Sequence, residues 1–375
     1  MATGWQRFES DHGIYEELEE NNDFPKNYDQ DERETVVDVD YLYDDEIWLY
    51  FDEHGVGVED KWIQSDSGLW YYFDYLVMAR SDYSYKIGEN YYGLDENGAM
   101  MVGWVRDNED SRNDRPTGSD DTRAWYYYQS NGKQVTGENS SKKNGNWKKI
   151  DGTWYYFVSE DYAEELSNSD PKKDVKKNAI LTGIYVNIDK NDDLFYFNGD
   201  GKMATGITKV ADGTIVTGTK DANAEKKISD GVDVYFNGSN GKVESGIKGD
   251  SYYIKEAKDP NTLSFKKKGE IVSGETFVGQ VKGQLAKECL VKDGDDLYYV
   301  DKYGEIIKNE ALEITFKETG EEYKIVFGSN GKAIRGKEAG KTVKAGKTYT
   351  VDNKKEIDIK IGEKATDKVT INVFE

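Results

Sequence analysis

Runs of four residues rich in aromatic rings recur along this chain, most of them followed by a turn of Asn, Asp and Gly. The stretch Asn146-Trp147-Lys148-Lys149-Ile150-Asp151-Gly152-Thr153-Trp154-Tyr155-Tyr156-Phe157 holds one tryptophan, a polar turn and such a quartet. Elsewhere a quartet leads into a second turn and a Gly-x-x-x-x-Gly tail, as in Phe195-Tyr196-Phe197-Asn198-Gly199-Asp200-Gly201-Lys202-Met203-Ala204-Thr205-Gly206. Rings suit a pleated, half-buried surface, and Gly and Asn tolerate the positive φ of tight hairpin turns. Each unit therefore reads as a β-hairpin.

Quartets are aligned at Trp48, Trp70, Asn90, Trp125, Trp154, Leu194, Asp233, Ser251, Leu297 and Lys324. Their spacing is about 20 residues at its tightest, at the short end of the range in which stacked units bury a shared core. The expectation is an all-β, hairpin-repeat solenoid with loop and short-helix insertions. It divides into a truncated repeat plus acidic insertion at 1–46, Trp-rich hairpins at 47–157, degenerate Tyr/Phe hairpins at 158–336 and a C-terminal β segment or cap at 337–375. Inserts at 106–123 and 160–177 read as polar, loop-like or partly helical. Alternation in Glu356-Ile357-Asp358-Ile359-Lys360-Ile361 and in Lys368 to Phe374 predicts plain strands.

Composition supports a thin, ring-built structure. The chain of 375 residues is only 36% hydrophobic, yet carries 28 Tyr, 13 Phe and 8 Trp. A disordered chain is poor in rings. The formal charge of −23 is concentrated at the front, where residues 1–100 hold 26 Asp/Glu against 6 Lys/Arg. Such a surface repels phosphate backbones and anionic headgroups, so nucleic acid and membrane are poor partners and cations or neutral glycans fit better. The acidic run around Glu16–Glu32 has no ordered calcium-ligand spacing and reads as a solvated insertion or short helix. No apolar run approaches the ~20 residues of a membrane span. No signal peptide is read at the start. The opening Met1-Ala2-Thr3-Gly4-Trp5 matches the Met203-Ala204-Thr205-Gly206-Ile207 tail, so the chain is expected to be a piece of a longer protein.

Catalytic chemistry finds little to work with. The single cysteine, Cys289, excludes an internal disulfide and reads as a small buried hydrophobe. Of the two histidines, His12 and His54, the latter stands in a hairpin turn where Asn or Asp stands elsewhere. A Cys/His nucleophile or a His-based zinc site is not expected. The 73 Asp/Glu leave a glycosidase-type carboxylate pair open by count, but no stretch reads as a hydrolase fold, and there is no phosphate-binding Gly-rich loop. The chain is read as non-enzymatic, without cofactor or metal.

The arrangement Gly-Trp … Asp-Gly-x-Trp-Tyr-Tyr-Phe … Asn-Gly-x-Met-x-x-Gly over 40–336 resembles the cell-wall-binding (choline- or glucan-binding) repeats of Gram-positive bacteria. It is also similar to the repetitive oligopeptide repeats of clostridial toxins. The resemblance implies stacked hairpins with ligand grooves between them, a secreted or cell-wall-attached location, and teichoic-acid choline or a glycan as ligand. In that family a choline box takes the tryptophan after the tail glycine, the first and third members of the next quartet, and often a tail methionine. Carried over, the boxes are Trp62 with Trp70 and Tyr72; Trp104 with Trp125, Tyr127 and Met101; and Trp147 with Trp154 and Tyr156. Trp5 would start another with Trp48 and Tyr50. Downstream the tryptophan slot becomes Ile184, Ile207 and Ile247, and the second and fourth quartet members are expected in the core. A cation over a ring face gains roughly 0.5–2 kcal/mol, so three faces approach the ~4 kcal/mol of a millimolar site. Weak sites on one chain then act by avidity. The alternative is a spacer or adhesin solenoid contacting a host or bacterial surface protein.

Overall fold

Each repeat begins where a tail residue stands directly across a strand pair from a quartet ring. In the computed structural model Trp5 pairs with Tyr50, Trp62 with Tyr72, Trp104 with Tyr127 and Ile207 with Tyr235. The structure describes residues 2–9, 46–107, 124–138, 145–169, 175–188, 193–217, 226–267, 270–271, 275–316, 320–334, 342–344, 347–349, 354–361 and 366–374. The acidic insertion with His12, and most of the 106–123 insert, lie outside them.

The residue after the quartet closes the turn. Asp52 Oδ1 accepts the backbone N–H groups of His54 and Val56, each at 2.9 Å, while its carbonyl accepts from Gly55 at 3.0 Å. Asp95, Asn198 and Asp301 repeat this with Asn97/Ala99, Asp200/Lys202 and Tyr303/Glu305. A short carboxylate or amide that bonds the backbone two residues on is the mechanism of an Asx turn, which explains why Asp or Asn follows the quartet. The turn glycines (Gly55, Gly98, Gly201, Gly304) have φ between 73° and 88°, the left-handed region that L side chains avoid.

After the turn the chain does two things in successive residues. One residue donates its N–H to the first quartet member of the preceding hairpin: Met100 to Trp70 (2.8 Å), Gln134 to Tyr91 (2.8 Å), Met203 to Trp154 (3.0 Å), Ile306 to Asp250 (2.6 Å) and Ala333 to Leu297 (2.8 Å). The next donates to the third member of its own quartet: Met101 to Gly93, Val135 to Tyr127, Ala204 to Tyr196, Ile307 to Tyr299. Hairpins are thus joined to their predecessors by backbone bonds that do not depend on side-chain identity, which lets the repeats degenerate in sequence.

This pattern corrects the alignment at two places. The third members are Gly93 and Tyr252, so the quartets run Tyr91–Leu94 and Asp250–Tyr253, each one residue from the starts at Asn90 and Ser251. Leu94 bridges Met100 as Phe197 bridges Met203. Likewise Tyr185, and not Ile184, pairs with the third member Tyr196.

The chain divides into two compact units, Met1–Lys148 with Tyr156–Ile180, and Lys149–Tyr155 with Leu181–Glu375. In the first, a five-stranded sheet runs Gly4–Glu9, Glu46–Phe51, Val77–Met78, Trp70–Asp74, Lys61–Gln64. Strand alternation sends Phe73 to a cluster with Val58, Met78, Trp5 and Tyr71, and sends Tyr72 to one with Val77, Tyr85, Leu94 and Trp62. Full burial of rings such as Phe73, Tyr128 and Phe157 contributes roughly 1.5–3 kcal/mol each. The insert after Phe157 replaces the tight turn and carries the helix Glu160–Ser169, buried through Tyr162, Ala163 and Leu166, before Ile180 bridges back to Phe157.

In the second unit an eight-stranded sheet runs from Asp296–Val300 to the C-terminal hairpin Lys354–Lys360/Lys368–Phe374. The strands expected at 356–361 and 368–374 are therefore present. Through Lys324 paired with Phe374 they extend the last quartet's sheet, and Ile359, Val369, Ile371 and Val373 are buried against Ile325 and Phe327. The protein is all-β hairpin sheets with helical insertion.

Candidate functional site

The tail tryptophans and the odd members of the quartets share one side of each hairpin. In the strand pair Lys61–Gln64/Trp70–Asp74, Trp62 faces Tyr72 and Gln64 faces Trp70, so these four side chains emerge on the same side. The rings of Trp62 and Tyr72 are 5.2 Å apart, and Trp62 also lies 5.0 Å from Tyr92 of the next hairpin. Tyr72 is buried, and that burial, with the charges of Asp60 and Asp74, pushes its hydroxyl up to about 12. Trp70 is 39% exposed, a large apolar ring at the edge of the group.

The second expected group is also assembled on one hairpin. Trp104 faces Tyr127 with centroids 5.0 Å apart and stacks at 14° and 6.4 Å on Phe157; Trp125 stands across from Arg106. Trp104, Trp125 and Tyr127 are half-buried, while Tyr126 and Tyr128 are buried. Met101 packs elsewhere, with Tyr126, Tyr128, Tyr83 and Val105. The tail position equivalent to Met203 is Met100, which lies under Gly132 of the next turn. In the third group Trp147 meets Tyr156 edge-on at 5.0 Å, and Tyr156 is fully buried. Trp154 belongs with the second unit and is 38% exposed. Trp5 gathers Tyr50, Tyr71 and Phe73 within 5.5 Å and Trp48 at 6.5 Å, a packed ring cluster.

Cations accompany the leading rings, a feature that composition does not reveal. Arg106 Cζ lies 5.5 Å from the Trp125 centroid, Lys149 Nζ 5.9 Å from Trp154 and Lys177 Nζ 5.3 Å from Tyr91. Lys177 is held there by Glu160 at 2.8 Å and Glu138 at 3.5 Å. The signal is present in the sequence as a basic residue two positions after Trp5, Trp104 and Trp147, with Gln64 in that position after Trp62.

In the second unit the quartet Leu194–Phe197 is buried at all four positions, Tyr235 and Tyr253 meet at 5.1 Å, and Ile207 is 64% exposed across from Tyr235. Cys289 is buried and its thiol is pushed well above the ordinary range by desolvation, first, and by Asp259. His54 is exposed in its turn beside Glu53. Among the described residues no group of three or more His, Cys, Asp and Glu is placed to hold a metal ion, and no described helix is long and apolar enough to cross a membrane.

Fold and ring arrangement together define a class: an all-β protein of aromatic hairpin repeats. Solved structures similar to it include choline-binding proteins and parts of modular enzymes. CbpF in complex with ipratropium is 17% identical over 89% of this chain and 87% of its own, with TM-score 0.45. CbpJ from Streptococcus pneumoniae is 18% identical over 82% and 95%, with TM-score 0.27. The Streptococcus pneumoniae autolysin LytC with a synthetic peptidoglycan ligand is 15% identical over 81% and 49%, with TM-score 0.32. No protein-family model matches the chain. No curated protein matches it by sequence.

Proposed function

We propose that the chain is a non-catalytic binding module of the cell surface or its surroundings, taking cell-wall choline or a glycan on the ring faces of its Trp-rich hairpins. The observation that carries this is the hairpin at 61–74, where Trp62, Tyr72 and Trp70 share one side and Trp70 leaves its ring open to solvent. Ring faces offer the same chemistry to a quaternary ammonium, by cation–π attraction, and to the C–H patches of a sugar. Tryptophan fluorescence titrated with choline and with wall-derived oligosaccharides tests it. Saturable quenching at millimolar ligand supports the reading, and no response to either class refutes it.

A second reading is a spacer or adhesin scaffold contacting a protein. It is favoured by the second unit beyond Trp154, where the leading positions are Leu194, Asp233, Asp250, Leu297 and Lys324 and the rings at 195–197 are given over to packing. Undiminished stability with no saccharide or choline affinity in the whole chain would select it.

A further inference from the structure

The leading rings differ in what faces them. Arg106 stands in register across from Trp125 with its guanidinium over the indole, and Lys149 places its ammonium over Trp154. Over Tyr91 the ammonium is that of Lys177, while the partner in register is Lys86. Arg7 is paired across from Trp48. Trp70 is different: its partner in register is Gln64, whose amide donates to the Gly68 carbonyl at 3.0 Å and so is held over the hairpin turn. Among the described residues no cation lies over Trp70. From this, and resting on the ring-face function above, we infer that the residue across from each leading tryptophan sets ligand charge. Trp70, faced by Gln64, accepts a quaternary ammonium, and Trp125, faced by Arg106, excludes it.

Two physical effects act in the same direction. An indole face engaged by a guanidinium must release it before another cation can take the place. A fixed positive charge within about 6 Å also repels an incoming one, weakly in water and more strongly where the rings displace water. Neutral ligands must also displace a guanidinium from a face it covers, but they escape the repulsion. The hairpins with Arg or Lys across from the ring are therefore selective for uncharged ligands, and the Gln64 hairpin is the choline-type position.

Choline and its uncharged isostere 3,3-dimethylbutan-1-ol distinguish the cases, read at each indole N–H signal by NMR in the whole chain. Choline should shift the Trp62 and Trp70 signals and leave Trp125 in place. Arg106→Gln should bring Trp125 into response with affinity raised roughly three- to tenfold, and Gln64→Arg should weaken choline at Trp70 by a similar factor, the range one cation–π contact supplies. The isostere should change less than choline on both substitutions, because it lacks the charge–charge term. Gln64 is exposed, so Gln64→Arg keeps the test valid if Arg106→Gln fails to fold. Equal choline response at Trp125 before and after Arg106→Gln, or unchanged affinity after Gln64→Arg, overturns the inference and leaves ring-face binding standing. Response at Trp125 only after Arg106→Gln, with the unmodified chain silent, upholds exclusion by Arg106 but overturns acceptance at Trp70, and with it the inference as stated. Silence in every variant overturns both.

Discussion

The ring of Tyr128 occupies the space that a side chain at position 93 would need. A Cβ built on Gly93 would come 2.4 Å from Tyr128 Cζ, and the Tyr128 hydroxyl reaches past it to donate to the Tyr83 carbonyl at 2.6 Å. Gly93 is the third member of its quartet, the position filled by Tyr50, Tyr72 and Tyr127 in neighbouring repeats. The missing ring is supplied by the next hairpin.

Gly93→Ala is therefore expected to destabilise the first unit by about 1–3 kcal/mol, the cost of overfilling a packed site. Tyr128→Phe should cost only about 0.5–1.5 kcal/mol, because Gln134 Nε2 also donates to the Tyr83 carbonyl at 2.6 Å. Urea denaturation followed by near-UV circular dichroism measures both, and a neutral Gly93→Ala would contradict this packing.

Glycines at positive φ carry two separate burdens that substitution can separate. Gly132 has φ +77° and its added Cβ would lie 2.1 Å from Met100 Sδ, whereas Gly206 has φ +69° with open space around it. Gly206→Ala should cost about 1 kcal/mol, for backbone strain alone. Gly132→Ala should cost more, and Met100→Ala in the same chain should recover part of that excess. Chemical denaturation of the single and double variants gives the coupling.

Two carboxylates should bend the stability–pH curve in opposite senses. The Val56 N–H donated to Asp52 outweighs desolvation and, with the His54 N–H, holds the Asp52 carboxyl below its ordinary value. Its contribution is complete above the unfolded value near 4 and is lost as pH falls through the lower folded value. Asp74 is buried, and desolvation raises its pKa despite the Tyr85 hydroxyl bond at 2.5 Å. The folded state then favours the protonated form, so that contribution is present below about 4 and is lost as pH rises through the raised folded value. Thermal melts from pH 2.5 to 7 should show Asp52→Asn flattening the acid limb and Asp74→Asn flattening the rise-linked loss. Asn is a fair replacement at the turn, since Asn198 makes the same bonds.

Trp62 and Trp70 should separate stability from binding. Trp62 packs between Tyr72 and Tyr92, so Trp62→Ala is expected to cost about 2–4 kcal/mol as well as ligand affinity. Trp70 projects to solvent, and Trp70→Ala should remain within about 1 kcal/mol of the unsubstituted stability while abolishing the quenching signal of its hairpin. Parallel melts and titrations of the two variants check this.

Much of the architecture is legible along the chain. The aromatic quartets, the Asp or Asn that follows those at Trp48, Tyr91, Leu194 and Leu297, and the glycine three residues later encode strand, Asx turn and positive φ locally. Those elements follow from residue chemistry within a dozen positions, as do the alternating strands near the C-terminus. Local pattern could not decide register. A slip by one residue at Asn90 or Ser251 leaves an equally plausible quartet, because a run of rings looks alike from either start. The Gln134 N–H to Tyr91 and the Ile306 N–H to Asp250 settle it, and those bonds join segments more than forty residues apart. Tertiary structure likewise decided which rings are spent on packing and which indoles carry a cation. Both depend on what a neighbouring strand places across from a side chain, and that information is not contained in any single repeat.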